Sequence, residues 1–343
     1  MSDTQNVSYH VESGVAVITV DNPPVNALAP GMREGIIDGL QRAGADPAVK
    51  AVVLIGSGKN FIAGADIRQF GKARRISTSV STAALDACEK PVIAAMQGYV
   101  LGAGLEHALA CHYRIATPDA KLGLPEVSIG VIPAGGGTQR LTRLIGPKVA
   151  VEMISTGRHV SAFEALKSGI VTQIVSQEKL LASAISYAKD VAPVRPLPRV
   201  RDMTDQITHA YQHPEAWEAA KKVALSKARN VKAPNCAVAC VEAALTGSFE
   251  DGLALEQRLF SELEGSDEAR ALRYAFFAER EAKKIPGAPE SYKPEGVRSA
   301  AIVGAGTMGA GIAICFADVL VPVKALDVTQ EALDRGMKRI QDT

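Results

Sequence analysis

The chain has 343 residues, 47% of them hydrophobic, and a formal net charge of +1. That length predicts more than one domain, and the apolar share is ample for packed cores. Near-neutrality excludes bulk electrostatic attraction to nucleic acid or an anionic membrane surface, so neither is an expected partner.

Residues 1–190 alternate strands and helices. Val15–Val20 reads as a strand, Met32–Ala43 as a helix, and Ala51–Ile55 as a buried strand ending at the turn Gly56-Ser-Gly58. Pro91–Met96 is a further strand, Gly104–Cys111 a helix and Tyr113–Ala116 a short strand. This order predicts α/β layers. The character changes over 191–295, where Pro193, Pro196 and Pro198 mark a break and a helical stretch runs from about Gly252 to Lys284. Ile285–Pro294 reads as a linker. Beyond it, Ser299–Val303 is a strand feeding Gly304-Ala-Gly-Thr-Met-Gly309 and an apolar helix, and Val321–Asp327 is a second strand.

No apolar stretch reaches about 18 residues, so no membrane span is expected. The start Met1-Ser-Asp-Thr-Gln-Asn lacks the basic and apolar regions of a signal peptide. The end Ile340-Gln-Asp-Thr343 is no peroxisomal tripeptide, and a cytoplasmic protein is expected. Cys88, Cys111, Cys236, Cys240 and Cys315 are scattered and odd in number. They read as buried free thiols in a reducing compartment, and no metal site is expected. His107 and His112 have no Cys or Asp partner at metal spacing. No G-x-S-x-G elbow is present, which disfavours a serine hydrolase.

Two glutamates twenty residues apart carry the chemistry: Glu106 in Leu101-Gly-Ala-Gly-Leu-Glu-His107 and Glu126 in Gly123-Leu-Pro-Glu-Val-Ser-Ile-Gly130. Glu106 falls in the first turn of a helix, where it is either a dipole partner or an acid/base group. Glu126 lies among Leu124, Val127 and Ile129, either facing solvent or half-buried with a raised pKa. Gly64 in Ala63-Gly-Ala-Asp66 lets backbone approach a ligand, or makes an ordinary turn. Gly102-Ala-Gly104 opens a helix whose free N–H groups suit an enolate oxygen. Gly135-Gly-Gly137 is either a second anion cradle or a flexible turn. Gly304-x-Gly306-x-x-Gly309 between a strand and a helix, with Asp327 18 residues further on, reads as a dinucleotide fingerprint, or else as a glycine-rich turn without a ligand. Only 40 residues run from Gly304 to Thr343, one βαβ unit without hydride-transfer residues.

Asn22-Pro-Pro-Val-Asn-Ala27, Phe61-Ile-Ala-Gly-Ala-Asp-Ile67, Gly102-Ala-Gly-Leu-Glu106, Gly123–Pro133 and Gly136-Gly-Thr-Gln-Arg-Leu141 together resemble the crotonase family of enoyl-CoA hydratases and isomerases over roughly residues 8–190. The later segments, including Tyr274-Ala-Phe-Phe-Ala-Glu279, resemble multifunctional β-oxidation enzymes that join a hydratase/isomerase half to a 3-hydroxyacyl-CoA dehydrogenase half. The resemblance implies an α/β fold: a crotonase (ClpP-like) ββα spiral over 1–190, a helical linker over 191–295 and an incomplete Rossmann βαβ over 296–343. It implies Glu106 and Glu126 as catalytic acids, and Ala65 and Ala103 as oxyanion-hole residues. The second of these is usually glycine in the family, but the backbone N–H does the work. Ala63, Asp66 and Ile67 are implied to belong to the stretch that lines the CoA adenine pocket, largely through backbone, with Gly64 and Gly102 in the same acyl-CoA site, and Gly304, Gly306, Gly309 and Asp327 to form an NAD site.

The implied substrate is a 2-trans-enoyl-CoA, hydrated at C3, with 3-enoyl to 2-enoyl isomerisation alongside. The hydratase half needs no cofactor, and NAD belongs only to a complete dehydrogenase domain, so hydride transfer is not expected from these residues. Self-association is left open, since family members often form trimers while the bifunctional relatives cover the same face with their own helices. The alternatives are another reaction of the fold, thioester hydrolysis or dehalogenation, and an inactive fragment.

Overall fold

The chain opens with the antiparallel pair β1 (Val7–Glu12) and β2 (Val15–Val20), turned through Ser13 and Gly14 at positive φ. The computed structural model describes residues 6–71, 76–228, 231–282, 284 and 296–343. They fall into two compact units, Met1–Glu281 and Ala282–Thr343.

In the first unit α1 (Met32–Ala45) forms because Met32, Ile36, Leu40 and Ala43 recur at helical spacing and make one buried stripe. The next elements repeat a strand–strand–helix pattern. They are β3 (Ala51–Gly56), β4 (Ile62–Ala63) and α2 (Thr78–Asp86), then β5 (Val92–Met96), β6 (Tyr99–Leu101) and α3 (Ala103–Ala110), then β7 (Tyr113–Ala116), β8 (Lys121–Gly123) and α4 (Gly137–Ile145). After these come α5 (Pro147–Thr156), β9 (Val160–Ser161), α6 (Ala162–Ser168), β10 (Gln173–Ile174) and α7 (Leu180–Val191).

The first strand of each repeat enters a six-stranded sheet ordered β1-β2-β3-β5-β7-β10, and the second a four-stranded sheet ordered β4-β6-β8-β9. This is the ββα spiral expected from the sequence. The repeating strands pair in parallel and are covered on both faces. Val52, Leu54, Ala94 and Met96 enter one core, while the alternate Ala51, Val53, Ile93 and Ala95 enter a second beneath Leu180, Ala184 and Ala188 of α7. Continuous apolar runs such as Ala51–Ile55 are the sequence imprint of that double burial.

The segment read as a linker contains α8 (Asp205–Gln212), α9 (Pro214–Lys227), α10 (Lys232–Thr246), α11 (Phe249–Glu264) and α12 (Asp267–Ala282). These helices pack onto the core of the first unit. Trp217, Ala237, Val241, Leu263 and Ala269 are buried in the same core as Leu54 and Leu105. The helical stretch expected from about Gly252 to Lys284 holds two helices, α11 and α12. Gly265 ends the first, and the Ser266 hydroxyl accepts the Ala269 N–H (3.1 Å) to start the second. α12 then meets Gly130, at φ 78°, where an added Cβ would lie 2.6 Å from the Ala269 Cα. The expected connection 285–294 lies outside the described residues.

The second unit pairs β11 (Ala300–Val303) in parallel with β12 (Val323–Leu326), alongside α13 (Thr307–Asp318) and α14 (Gln330–Gln341). Among the described residues no helix is long and apolar enough to cross a membrane.

Candidate active site

Three short parallel strands bring the motifs together. Ala63 at the end of β4 is in register with Leu101 at the end of β6, and Leu101 with Gly123 at the end of β8. Gly64-Ala65, Gly102-Ala103 and Leu124-Pro125-Glu126 therefore leave the sheet side by side, at the strand ends where parallel α/β sheets place their ligands. A Cβ on Gly102 would lie 3.0 Å from Glu126 Oε1 and 3.7 Å from the Gly64 Cα. Gly102 also takes φ 52°, ψ −125°, so a side chain there is excluded twice over.

Leu28 pairs with the loop after β4. Its N–H donates to Gly64 O (2.9 Å) and its carbonyl accepts the Asp66 N–H (3.3 Å). The intervening Ala65 N–H is thereby turned away from Leu28. Ala103 is the first residue of α3, so its N–H has no acceptor within the helix. Neither N–H has a hydrogen-bond partner among the described residues. Asp66 is engaged elsewhere. Its carboxylate accepts from the Arg68 backbone N–H (3.1 Å) and Nε (2.9 Å), capping the short helix Ile67–Gln69. Asp66 thus shapes this loop, while Ile67 is half-buried against the core.

Glu106 is 2% exposed. The sequence left open a role as dipole partner of its own helix, but its cradle belongs to another. Oε1 accepts the N–H groups of Gly135 (2.6 Å) and Gly137 (2.9 Å) at the start of α4. A Cβ on Gly135 or Gly137 would come within 2.9 or 2.8 Å of the Glu106 carboxylate oxygens, which explains the glycines. Arg140 fixes this turn by donating to Gly135 O (2.7 Å) while paired with buried Asp86. Burial raises the Glu106 pKa, opposed by the two N–H donors and by Arg140 and Arg33.

Glu126 sits in a short 3-10 turn, Glu126–Ile129, after Pro125. Its Oε2 is shut off from solvent and has no hydrogen-bond partner among the described residues. Burial first, and the charge of Glu106 second, push its pKa well above the usual carboxylate range. The pair is thus differentiated: Glu106 is held as an acceptor by two N–H groups, and Glu126, with an oxygen lacking any donor among the described residues, is pushed toward its protonated form.

A third carboxyl comes from α11. Glu256 is fully buried and accepts the Gly136 N–H (2.6 Å), the Thr138 N–H (3.0 Å) and the Thr138 hydroxyl. Burial, then the charge of Glu106, push its pKa up to about 8. Sequence reasoning missed Glu256. The available signal was its place on the buried stripe of α11 with Phe249, Gly252 and Leu263, where a carboxylate needs a partner. Gly135-Gly-Gly137 does form a cradle of N–H donors, and the groups it holds are carboxyls of the protein's own side chains.

His107 is structural. Its Nδ1 donates to Ala103 O (2.6 Å), Nε2 meets the Ser81 hydroxyl (2.9 Å), and burial pushes the imidazole down to about 4. His112 Nδ1 accepts the Val92 N–H (3.0 Å). Among the described residues no group of His, Cys, Asp and Glu is arranged to hold a metal ion.

In the second unit Gly304 takes φ 96° and Gly306 precedes α13. A Cβ on Gly309 would lie 1.8 Å from Gly304 O, so the helix start closes onto the loop. Asp327 at the end of β12 accepts the N–H groups of Ala305 and Val328, both at 2.7 Å. Strand, glycine loop and helix start have the arrangement of the first turn of a dinucleotide-binding βαβ unit.

Comparison with known proteins agrees with this geometry. The model of the enoyl-CoA hydratase/isomerase family matches residues 10–231, and that of the 3-hydroxyacyl-CoA dehydrogenase NAD binding domain matches 299–343. Peroxisomal bifunctional enzymes of Danio rerio and Homo sapiens are 43% and 40% identical over 96% of this chain and 46% of their own length. A peroxisomal fatty acid beta-oxidation multifunctional protein of Oryza sativa is 35% identical over 95% of this chain and 47% of its own. The chain thus spans about half the length of these relatives. A carnitinyl-CoA hydratase from Mycobacterium avium is similar in structure, with TM-score 0.59 and 28% identity, covering 80% of this chain and 96% of that one. On the fold, the sequence motifs and these matches together, the chain belongs to the enoyl-CoA hydratase/isomerase (crotonase) family.

Proposed function

We propose that the chain hydrates 2-trans-enoyl-CoA thioesters to 3-hydroxyacyl-CoA and isomerises 3-enoyl to 2-enoyl thioesters. The observation that carries this reading is the register Ala63–Leu101–Gly123, which sets two free N–H groups beside a carboxyl with an unpartnered oxygen. The thioester oxygen accepts the N–H groups of Ala65 and Ala103, with Ala63, Gly64, Asp66 (through its backbone), Ile67 and Gly102 lining the approach. Glu106 takes a proton from water as its oxygen bonds to C3. The π electrons move onto the thioester oxygen, where the two N–H groups hold the enolate. Glu126 then protonates C2, and proton exchange from Glu106 resets the pair. In isomerisation Glu126 alone removes a C2 proton and returns it at C4. The division 1–190, 191–295 and 296–343 stands as a reading of functional parts, with the helical part serving the first. NAD binding by the third is proposed only within a complete dehydrogenase domain.

Opposite pH dependence tests the assignment. Hydration uses protonated Glu126, so its rate falls as pH rises through the raised Glu126 pKa. Isomerisation starts from ionised Glu126, so its rate rises over the same interval. Parallel profiles for the two reactions would remove Glu126 from both roles. The relatives are named peroxisomal, so the cytoplasmic location read from the sequence stands as a proposal. Recovery of the chain in a peroxisomal fraction would overturn it.

A further inference from the structure

Four successive N–H groups open α4, and they are shared alternately. Gly135 and Gly137 donate to Glu106 Oε1, while Gly136 and Thr138 donate to Glu256 Oε1 and Oε2. Glu106 comes from α3 and Glu256 from α11, 150 residues later in the chain. The start of α11 is fixed against α4. A Ser248–Asp251 capping box closes its first turn, and the Phe249 ring faces the guanidinium groups of Arg140, Arg143 and Arg201 at 5.1, 5.2 and 4.5 Å. Gly252 is pressed against Gln139, whose amide nitrogen donates to Thr138 Oγ (3.0 Å) and to Cys240 O of α10 (2.9 Å).

We propose that Glu256 is a positioning residue for Glu106: by taking the N–H groups of Gly136 and Thr138, it holds the start of α4 so that Glu106 meets its own two donors through Oε1. This rests on the reading of Glu106 as the base of hydration. Without Glu256, two buried N–H groups lose their acceptor and the turn rotates toward the remaining carboxylate. The helical segment thereby enters the chemistry of the spiral domain while staying behind Glu106. Glu126 is bound to neither set of donors, and the charge of Glu256 is only a minor cause of its raised pKa after burial and Glu106, so its own proton transfer changes least.

The test measures hydration of 2-trans-butenoyl-CoA and isomerisation of 3-hexenoyl-CoA by the whole chain and three variants. In Glu256→Gln, one amide oxygen replaces two carboxylate oxygens and an NH₂ faces a donor. Its hydration kcat is expected to fall about tenfold, as for other supporting partners of a reactive group. KM and the isomerisation kcat stay within about twofold of the parent. Thr138→Val removes the hydroxyl donor to Glu256 and the acceptor of one Gln139 amide N–H while keeping the Thr138 backbone N–H, and the ratio of hydration to isomerisation moves the same way by a smaller factor. That variant carries the test if Glu256→Gln gives no cooperative thermal melt. Glu106→Gln is the control. If it loses hydration selectively while Glu256→Gln, or Thr138→Val in its place, leaves the ratio unchanged, the positioning role is overturned and the functional reading stands. Equal losses of both reactions in Glu106→Gln would overturn the functional reading itself.

Discussion

Glu106→Gln is expected to lower the hydration rate by about 10²–10⁴-fold, the range associated with one positioned acid/base group, while much of the isomerisation remains. The geometry makes this a clean substitution. Only Oε1 of Glu106 accepts from Gly135 and Gly137, and a glutamine can put its single amide oxygen there. The turn at 135–137 and the packing of α4 then persist, so the thermal midpoint should change little. What is lost is the base that takes the proton of water. Kinetic assays with a conjugated and an unconjugated enoyl-CoA measure the two reactions separately. Unchanged hydration in Glu106→Gln would mean that water is activated elsewhere.

Ala103→Pro is expected to depress both reactions together, by about 10²–10³-fold, the usual consequence of losing one oxyanion donor. Ala103 is the first residue of α3, where proline fits the helix and the missing N–H breaks no helical bond. Both reactions pass through an enolate, so both need the donor, whereas Glu106 serves hydration alone. The two variants should therefore separate on a plot of one rate against the other. A selective loss of hydration in Ala103→Pro would detach that N–H from the enolate oxygen.

Much of the fold was legible because its strands are buried on both faces. Val15–Val20 and Ala51–Ile55 announce themselves as apolar runs, and the stripe of α1 shows in its spacing. The strands that assemble the site are harder to see. β4 has two residues and β6 and β8 have three each, too few to display a period of two. Their register, which sets Ala65 beside Ala103, exists only once the spiral has closed. The glycines at 135–137 read either as an anion cradle or as a flexible turn, and nothing local says that they hold the carboxyl groups of Glu106 and Glu256. Glu256 itself was hidden by distance along the chain, and by the polar composition of helices that read as a connection.

One measurement bears on the two-acid site as a whole. The chain is mixed with 2-trans-butenoyl-CoA in D₂O and the products are identified by mass spectrometry and NMR. The expected product is 3-hydroxybutanoyl-CoA with the thioester intact and one deuterium at C2, placed there from exchanged Glu126. Release of free CoA, or recovery of the enoyl thioester unchanged, would contradict hydration by Glu106 and Glu126 over the Ala65 and Ala103 N–H groups.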